Sequence, residues 1–466
     1  MTVTVSSNTG TSQRTGFITV SGTDVTAQTI SVIQTEPVVV RHVATAGTLS
    51  SLIAPNRKYE ITDLILTGYL NGTDILYIRE MSGHGYSDNT KTNGKLTNLN
   101  IEGANIVSGG NIYLSSLYSG NHVTSNNIFP SYMFYQCTTL KNIILPNSVT
   151  DIGNNAFHGC IGLTSVNIPN NVSSIGSFAF CGCSGITNLN IPNSVSLIGS
   201  FAFGGCSGLK SVNIPNNVSL IGSGAFSGCV GLISVNIPNS VSLLGSQSFS
   251  GCTNLTNIIL GNSVSSIEDR AFYGCTSLKS ISIPNSVVSM GDNIFEGCTG
   301  LTSVSIGNSV SSIGEAAFRG CTGITVVNIP NSVISIGEVA FYGCTGLTNI
   351  NISNSVSSIG RFAFSYCTDL TSVNIPNSVT SIEVGAFYHC SGLTNIILGN
   401  SVNLIGSGVF SGCIKLAAIH SKNPTPPTIA GDTFDVSTKV SCKLYVPTGS
   451  YSSYWTQWGF SDITEE

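Results

Sequence analysis

The cysteines of this 466-residue chain are the side chains whose type and spacing could most readily do chemistry. Thirteen of the 15 follow one another at intervals of 23 residues, from Cys137 to Cys413, without an insertion. Such a ladder could form disulfides, bind zinc, or bury its thiols as small apolar side chains. Thiols repeated in register point in parallel, whereas a disulfide needs Cβ atoms about 3.8 Å apart and a dihedral near 90°. The odd count, and the lack of CxxC pairs and of suitably spaced His residues, predict buried, reduced thiols and no metal site.

Two cysteines fall outside this ladder. Cys181 stands two residues before Cys183, where other repeats usually have Gly, Ser or Tyr, and we expect its thiol to be exposed or half exposed. Cys442 lies in the C-terminal segment and belongs to the cap that ends the repeats.

The acidic and histidine side chains do not form a catalytic pattern. Polysaccharide-cleaving enzymes need paired carboxylates or a positioned base. The outward positions 141, 142 and 144 and their equivalents carry Thr, Ser, Asn and a few apolar residues, with Lys141, Lys210 and Lys279 as the charges. The acids of the repeats are scattered in the turns, and the six histidines are isolated. We therefore predict that the protein is not an enzyme and has no catalytic residue and no cofactor.

The repeat itself predicts the fold. Its unit reads C-x-x-L-x-x-I-x-I-P-N-S-V-x-x-I-G-x-x-A-F-x-G. Leu163, Val166 and Ile168 fall on one side of a short strand, Val172 returns on the opposite wall, and Phe180 closes the coil. One coil cannot bury these side chains alone, so the coils must stack. A period of 20–29 residues predicts a β-rich leucine-rich-repeat solenoid, here of about 13 stacked 23-residue coils with irregular N- and C-terminal caps.

The composition excludes several classes of partner. Only 8% of the residues are charged and the formal net charge is −5, so a basic nucleic-acid-binding surface is not expected. No run of 18 apolar residues occurs, which predicts no transmembrane segment. Met1 is followed directly by TVTVSS, so no signal peptide is expected in this sequence. We expect a monomer.

The segments outside the regular array have weaker patterns. We predict a short helix at 48–53, strands near 61–66 and 96–101, and loops around 81–95 and 105–127. In the last segment, Trp455 and Trp458 are both expected to be buried. The resulting domain boundaries are an N-terminal appendage at 1–36, an irregular N-terminal cap at 37–128, the repeat array at 129–420, and a C-terminal cap at 421–466.

The phrase LTSVNIPNSVTSIEVGAFYHCSG, residues 370–392, resembles the BspA-type leucine-rich repeat of bacterial surface proteins, the type also found in Treponema pallidum. That family has the pattern L-x-x-L-x-L-P-x-x-L-x-x-I-G-x-x-A-F-x-x-C, and the match covers about 129–420. KLYVPTGS, residues 443–450, resembles the C-terminal cap of such proteins. Residues 8–34 resemble the closing strands of a BACON domain, a small immunoglobulin-like sandwich of gut-bacterial surface proteins, without its earlier strands and tryptophan.

A cluster of rings is the sharpest candidate for a binding site. In three consecutive repeats, positions that mostly hold Gly, Ser or Ala carry aromatic rings instead. The predicted site consists of Tyr342, Phe362, Tyr366, Tyr388 and His389. Aromatic side chains are enriched in interface hot spots and can stack on sugar rings. Drift at tolerant turn positions remains an equal alternative.

A row of asparagines on the strand face is a second candidate. Its members are Asn167, Asn190, Asn213, Asn236, Asn328, Asn351 and Asn374. Amides can hydrogen-bond sugars or extended peptides, but they serve equally well on a solvated surface, which we favour.

The resemblance implies a non-enzymatic cell-surface or secreted binding or adhesion protein of the bacterial envelope, which recognises host or bacterial proteins. Its partner would be an extracellular protein or a glycan. Two alternatives stay open: a glycan-capture protein that supports nutrient uptake, and a structural spacer.

Overall fold

The computed structural model describes residues 14–22, 25–34, 38–87, 90–116 and 120–466, with the backbone alone for 14–34 and Ser116. The chain divides into two compact units, residues 1–173 and 174–466. The predicted BACON-like strands are described for their backbone within 14–34, and the rest of that predicted segment lies outside the described residues.

The first unit is built on a sheet of parallel strands. The strands and helices of this unit are β1 Arg14–Gly22, β2 Val25–Gln34, β3 Val39–Val43, α1 Leu49–Leu52, β4 Asp63–Leu70, α2 Gly72–Met81, β5 Asn98–Asn100, β6 Ala104–Ile106, β7 Gly109–Ser116, β8 Gly120–Thr124, β9 Ile128–Phe129, β10 Asn142–Ile144, β11 Asp151–Ile152 and β12 Ser165–Asn167. Strands β3, β4, β5, β10 and β12 follow one another in the sheet, β6 pairs with β4, and β9 pairs with β11 on the opposite wall.

The N-terminal cap is more regular than its sequence predicted. The short helix α1 is confirmed, but α2 lies just before the predicted loop at 81–95, and β7 and β8 form an antiparallel hairpin where a loop was expected. Helix α2 begins with a capping box between Asn71 and Asp74. The buried Asp74 carboxylate also accepts hydrogen bonds from the backbone N–H groups of Gly47 and Leu49, so it joins α1 to α2.

The N-terminal appendage contains a hairpin. Strands β1 and β2 pair antiparallel, with Ile18 opposite Ile30 and Thr19 opposite Thr29. This pairing agrees with the alternation of apolar residues in the sequence. The assignment of the segment to a BACON-like domain stays a prediction.

The second unit repeats one coil with two short strands. Its face strands are β14 Asn188–Asn190, β16 Ser211–Asn213, β18 Ser234–Asn236, β20 Asn257–Ile259, β22 Ser280–Ser282, β24 Ser303–Ser305, β26 Val326–Asn328, β28 Asn349–Asn351, β30 Ser372–Asn374, β32 Asn395–Leu398, β34 Ala418–Ser421, β36 Lys443–Val446 and β37 Asp462–Glu465. Its back strands are β13 Ser174–Ile175, β15 Leu197–Ile198, β17 Leu220–Ile221, β19 Leu243–Leu244, β21 Ser266–Ile267, β23 Ser289–Met290, β25 Ser312–Ile313, β27 Ser335–Ile336, β29 Ser358–Ile359, β31 Ser381–Ile382, β33 Leu404–Ile405 and β35 Thr428–Ile429. Two helices, α3 Val436–Ser441 and α4 Tyr451–Trp458, complete it.

The predicted solenoid of 23-residue coils is confirmed, although the coils are more numerous than expected. Five face strands in the described part of the first unit and 13 in the second make about 18 coils. The prediction of about 13 counted only coils that carry a ladder cysteine. Strands β3, β4, β5, β36 and β37 extend the same stacking into the caps without that cysteine.

The core of each coil is a set of buried columns. Within one coil Leu209, Ile214, Val218, Ile221 and Phe226 are all buried. In most coils a Pro follows the face strand. It ends the strand because Pro has no N–H with which to continue the ladder. In the second unit the stacked Phe rings from Phe180 to Phe434 lie 5.1–5.9 Å apart between centroids.

The cysteine ladder is buried, as predicted, and all 15 cysteines are free thiols. The structure adds a reason for the residue type. The Cys298 thiol donates a hydrogen bond to the Phe272 carbonyl oxygen in the adjacent coil, with sulfur and oxygen 3.1 Å apart, and the same bond recurs from Cys206 to Cys413. Burial raises the pKa of Cys298 to about 12, which keeps the thiol protonated as a donor. Cys181 is half buried, in agreement with its prediction.

The C-terminal cap ends the core with one tryptophan, not two. Trp458 is buried against Phe434 and donates its indole N–H to the Pro427 carbonyl oxygen. Trp455 is 58% exposed, so its predicted burial is wrong. The two residues lie on one helix, α4, whose buried face carries Tyr454 and Trp458, whereas Trp455 shares the exposed face with Tyr451.

Candidate binding site

A column of left-handed residues precedes the ladder cysteines of the second unit. We call these positions the glycine column: 182, 205, 228, 251, 274, 297, 320, 343, 366, 389 and 412. Nine of the eleven are Gly with φ between 68° and 76°. The left-handed turn directs each N–H to the next coil, as where Gly343 donates to the Ser365 carbonyl oxygen at 2.8 Å.

Two adjacent members of the glycine column are aromatic. Tyr366 and His389 keep the same backbone, with φ of 59° and 56°. A side chain other than Gly pays about 1–2 kcal/mol for this conformation. Space is not the obstacle, because a Cβ built at Gly205 or Gly343 would meet no atom closer than 3.6 Å. Strain in the backbone is therefore the main cost of placing rings here.

Four rings lie together around these positions. Tyr366 stacks on His389 with centroids 5.2 Å apart and planes 5° apart. Tyr342 lies 5.4 Å from Tyr366 on one side, and Tyr388 meets His389 edge to face at 4.3 Å on the other. Tyr366 and His389 are exposed, whereas Tyr342 and Tyr388 are half buried. We call Tyr342, Tyr366, Tyr388 and His389 the aromatic cluster.

The fifth predicted residue, Phe362, is placed apart from this cluster. Its ring covers Gly385, where a Cβ would come within 2.3 Å of the Phe362 ring. Phe201 covers Gly224 in the same way, and Phe178 stacks on Phe201 at 5.1 Å. The Phe362 side chain is therefore half buried and packs between coils. Its position only four residues before Tyr366 in the sequence does not reveal this separation.

An arginine extends the aromatic cluster toward the preceding coils. The Arg319 guanidinium lies over the Tyr342 ring, 5.5 Å from its centroid. A carboxylate oxygen of Glu296 lies 3.4 Å from a guanidinium nitrogen of Arg319, and the other carboxylate oxygen accepts a hydrogen bond from the Asn293 side-chain amide. Sequence reasoning missed this extension, although Glu296, Arg319 and Tyr342 occupy one column at intervals of 23 residues.

The turn acids are less scattered than the sequence suggested. Asp269, Asp292, Glu315 and Glu338 share one column in four consecutive coils, and the Asp292 carboxylate accepts a hydrogen bond from the Glu315 backbone N–H. Among the residues that the structure describes, no group of three or more His, Cys, Asp or Glu side chains could hold a metal ion. Nor does any described helix have the length and apolar character needed to cross a membrane.

Comparison with known proteins identifies a family and several solved structures that the chain resembles. A sequence profile described as the BspA type leucine rich repeat region matches residues 127–256, 242–333 and 313–441. A leucine-rich repeat protein from Bacteroides ovatus is 31% identical, covers 65% of this chain and 84% of its own, and has a TM-score of 0.55. A leucine rich cell surface protein from Faecalibacterium prausnitzii is also 31% identical, with 60% and 87% covered and a TM-score of 0.41. The leucine rich repeat protein of T. pallidum is 26% identical, with 52% and 82% covered and a TM-score of 0.26. No curated protein matches the chain, and none of these likenesses indicates a catalytic family.

Proposed function

The chain belongs to the BspA type leucine-rich repeat family, and on that premise we propose that it is a non-enzymatic protein-binding or adhesion protein of the bacterial cell surface or of the secreted fraction. Proteins of this family are generally found at the cell surface or in the secreted fraction. We further propose that the aromatic cluster is the site at which this protein holds its partner.

The exposed rings of Tyr366 and His389, in a column where the other nine positions are Gly, carry this proposal. Neighbouring coils place Gly at the same positions and stack without difficulty, so the fold does not require the rings. The two residues together keep about 2–4 kcal/mol of unfavourable backbone conformation. Ring stacking returns only about 0.5–1.5 kcal/mol per pair. Left-handed residues other than Gly also occur elsewhere in the coils, as at Arg270, Val339 and Phe362, so the two positions are set apart by their exposed rings in a column of Gly and not by the φ angle alone.

The chemistry of the cluster suits a protein partner. Tyr and Arg are among the residues most enriched in interface hot spots, and both are present here within three consecutive ring or cation contacts. The half-buried Tyr342 and Tyr388 are held by their neighbours, so little side-chain freedom remains to be lost on binding. Tyr366 and His389 then offer their exposed surface to an apolar or aromatic group of the partner.

The test is a binding screen against immobilised host matrix proteins and bacterial surface proteins with a double variant, Tyr366→Gly and Tyr388→Ser. Gly is the usual residue of the first column, and Ser occupies the second at positions 365 and 411. The change at 366 also relieves the left-handed strain, so folding should be intact. Loss of a hot-spot pair should weaken binding by about thirtyfold or more.

Tyr273→Ser is the matched control. Tyr273 occupies the same column as Tyr342 and Tyr388, is 41% exposed, and lies outside the cluster. Its replacement should leave affinity unchanged. Binding that survives the double variant would place the partner elsewhere on the surface. A folded protein that binds nothing in the screen would favour a spacer.

A further inference from the structure

The face sheet of the second unit is interrupted between β24 and β26 and again between β28 and β30, and a cavity lies at the first of these interruptions. Strands β22 and β24 pair over three residues, and so do β26 and β28, but β24 and β26 belong to different sheets. A cavity of about 390 Å³ opens at this interruption. Val304 is half buried there, although its equivalents Ile281 and Val327 are buried. Strands β24 and β26 are therefore neighbours that lack the pairing found between β22 and β24 and between β26 and β28.

The cavity is lined mainly by uncharged polar side chains. These are Ser305, Asn308, Asn328, Asn331 and Asn351, and all five are exposed. We call this cavity the amide groove. Among the described residues, the side-chain amides of Asn328, Asn331 and Asn351 have no hydrogen-bond partner within the protein. Each amide supplies two donors and one acceptor, so the groove presents a dense set of unused hydrogen-bonding groups.

The lining selects the chemistry of a ligand. No ionisable side chain contacts the cavity, so a charged ligand would find no counter-ion. Val304, Ile306, Ile329 and Pro330 add small apolar surfaces beside the amides. A molecule with many hydroxyl groups and patches of C–H surface matches this combination. An added peptide strand does not, because strand addition relies on a run of main-chain hydrogen bonds and β24 has only three residues.

We propose that the amide groove binds a neutral saccharide. This site lies on the strand face and is independent of the aromatic cluster. Its distinguishing feature is the cavity at the interruption between β24 and β26, since Asn213 and Asn236 belong to the same column of the strand face but lie in strands that remain in one sheet and do not line this cavity.

The experiment is saturation-transfer NMR of the full chain with maltohexaose, cellohexaose, chitohexaose and mannohexaose, followed by titration of the strongest binder. The test variant is Asn328→Ser with Asn351→Ser, and the control is Asn213→Ser with Asn236→Ser. Ser already occupies this column at positions 282 and 305, so both variants should fold, which circular dichroism verifies. Each amide lost should weaken binding about two- to tenfold, and the test pair together by about tenfold or more.

The control pair, and Tyr366→Gly, should leave saccharide binding unchanged. Three results would overturn the proposal. These are no binding of any of the four saccharides, equal weakening by the test and control pairs, and loss of binding in Tyr366→Gly alone. The last result would move the saccharide to the aromatic cluster.

Discussion

Raising the pH above 9 should strongly destabilise the folded state of this protein, because its core contains a column of buried thiols. Burial is the largest cause that raises the pKa of each ladder thiol, to about 12 for Cys206, Cys252 and Cys344, against about 9 for an exposed thiol. As pH rises past 9, the unfolded chain loses thiol protons while the folded chain keeps them. Stability is therefore fully present below pH 9 and is lost as the pH rises toward 12.

The size of the effect follows from the number of thiols. At pH 10 each buried thiol costs about 1–1.5 kcal/mol of folding free energy, a figure set by the exposed thiol as long as the buried one stays protonated. Cysteines in twelve of the ladder coils show a raised pKa. Together they remove on the order of 15 kcal/mol by pH 10.

The assay is urea unfolding, followed by circular dichroism from pH 7 to 10.5 in a phosphine reductant. The midpoint should fall steeply above pH 9. The triple variant Cys275→Ala, Cys298→Ala and Cys321→Ala should be less stable at pH 7 but should lose about 4 kcal/mol less between pH 7 and 10. Phe295→Leu is the control, since it weakens the core without removing a titrating group. A midpoint that stays level to pH 10.5, or a triple variant with the slope of the parent, would refute the reasoning.

Three further predictions concern the turns, the surface thiol and the appendage. Gly343→Ala should lower the free energy of unfolding by about 1–2 kcal/mol. Gly346→Ala should lower it further, since its Cβ would lie 2.5 Å from the Thr322 carbonyl oxygen. Equal thermal midpoints of the two variants would contradict this. Cys181 should be alkylated first in the native protein, because the other cysteines are buried; mass spectrometry that finds a ladder thiol modified earlier would count against it. Deleting residues 1–36 should leave the thermal midpoint almost unchanged, because a lone hairpin is marginally stable; a large drop would show that the segment supports the cap.

The regular part of the fold could be predicted because every coil repeats the same pattern of apolar residues. Leu209, Val212 and Ile214 recur 23 residues later as Leu232, Val235 and Ile237, so register and burial follow from the period alone. The caps lack that redundancy. Helix α2 was missed there, although Asn71 and Asp74 have the three-residue spacing of a capping box.

The aromatic cluster was predicted in part, for a reason that lies in turn geometry. Tyr366 and His389 replace Gly in a visible column, so their departure can be read from the sequence. Phe362 stands only four residues before Tyr366, but a left-handed turn at each residue sends the two rings to different neighbours. Spacing along a tight turn therefore does not determine the direction in which a side chain points. The amide groove depends on a change in strand pairing, which leaves no signal in the repeat pattern.

The way neighbouring coils are joined has a mechanical consequence. Their two- and three-residue strands are hydrogen-bonded from coil to coil. Tension along the stack would therefore break these bonds one coil after another and would not load them all at once in shear. A released coil of 23 residues can extend to about 75–80 Å, against a rise of about 4.8 Å when stacked. Each coil that opens would therefore lengthen the chain more than tenfold locally while the coils beyond it stay folded, so tension on the stack would be relieved one coil at a time.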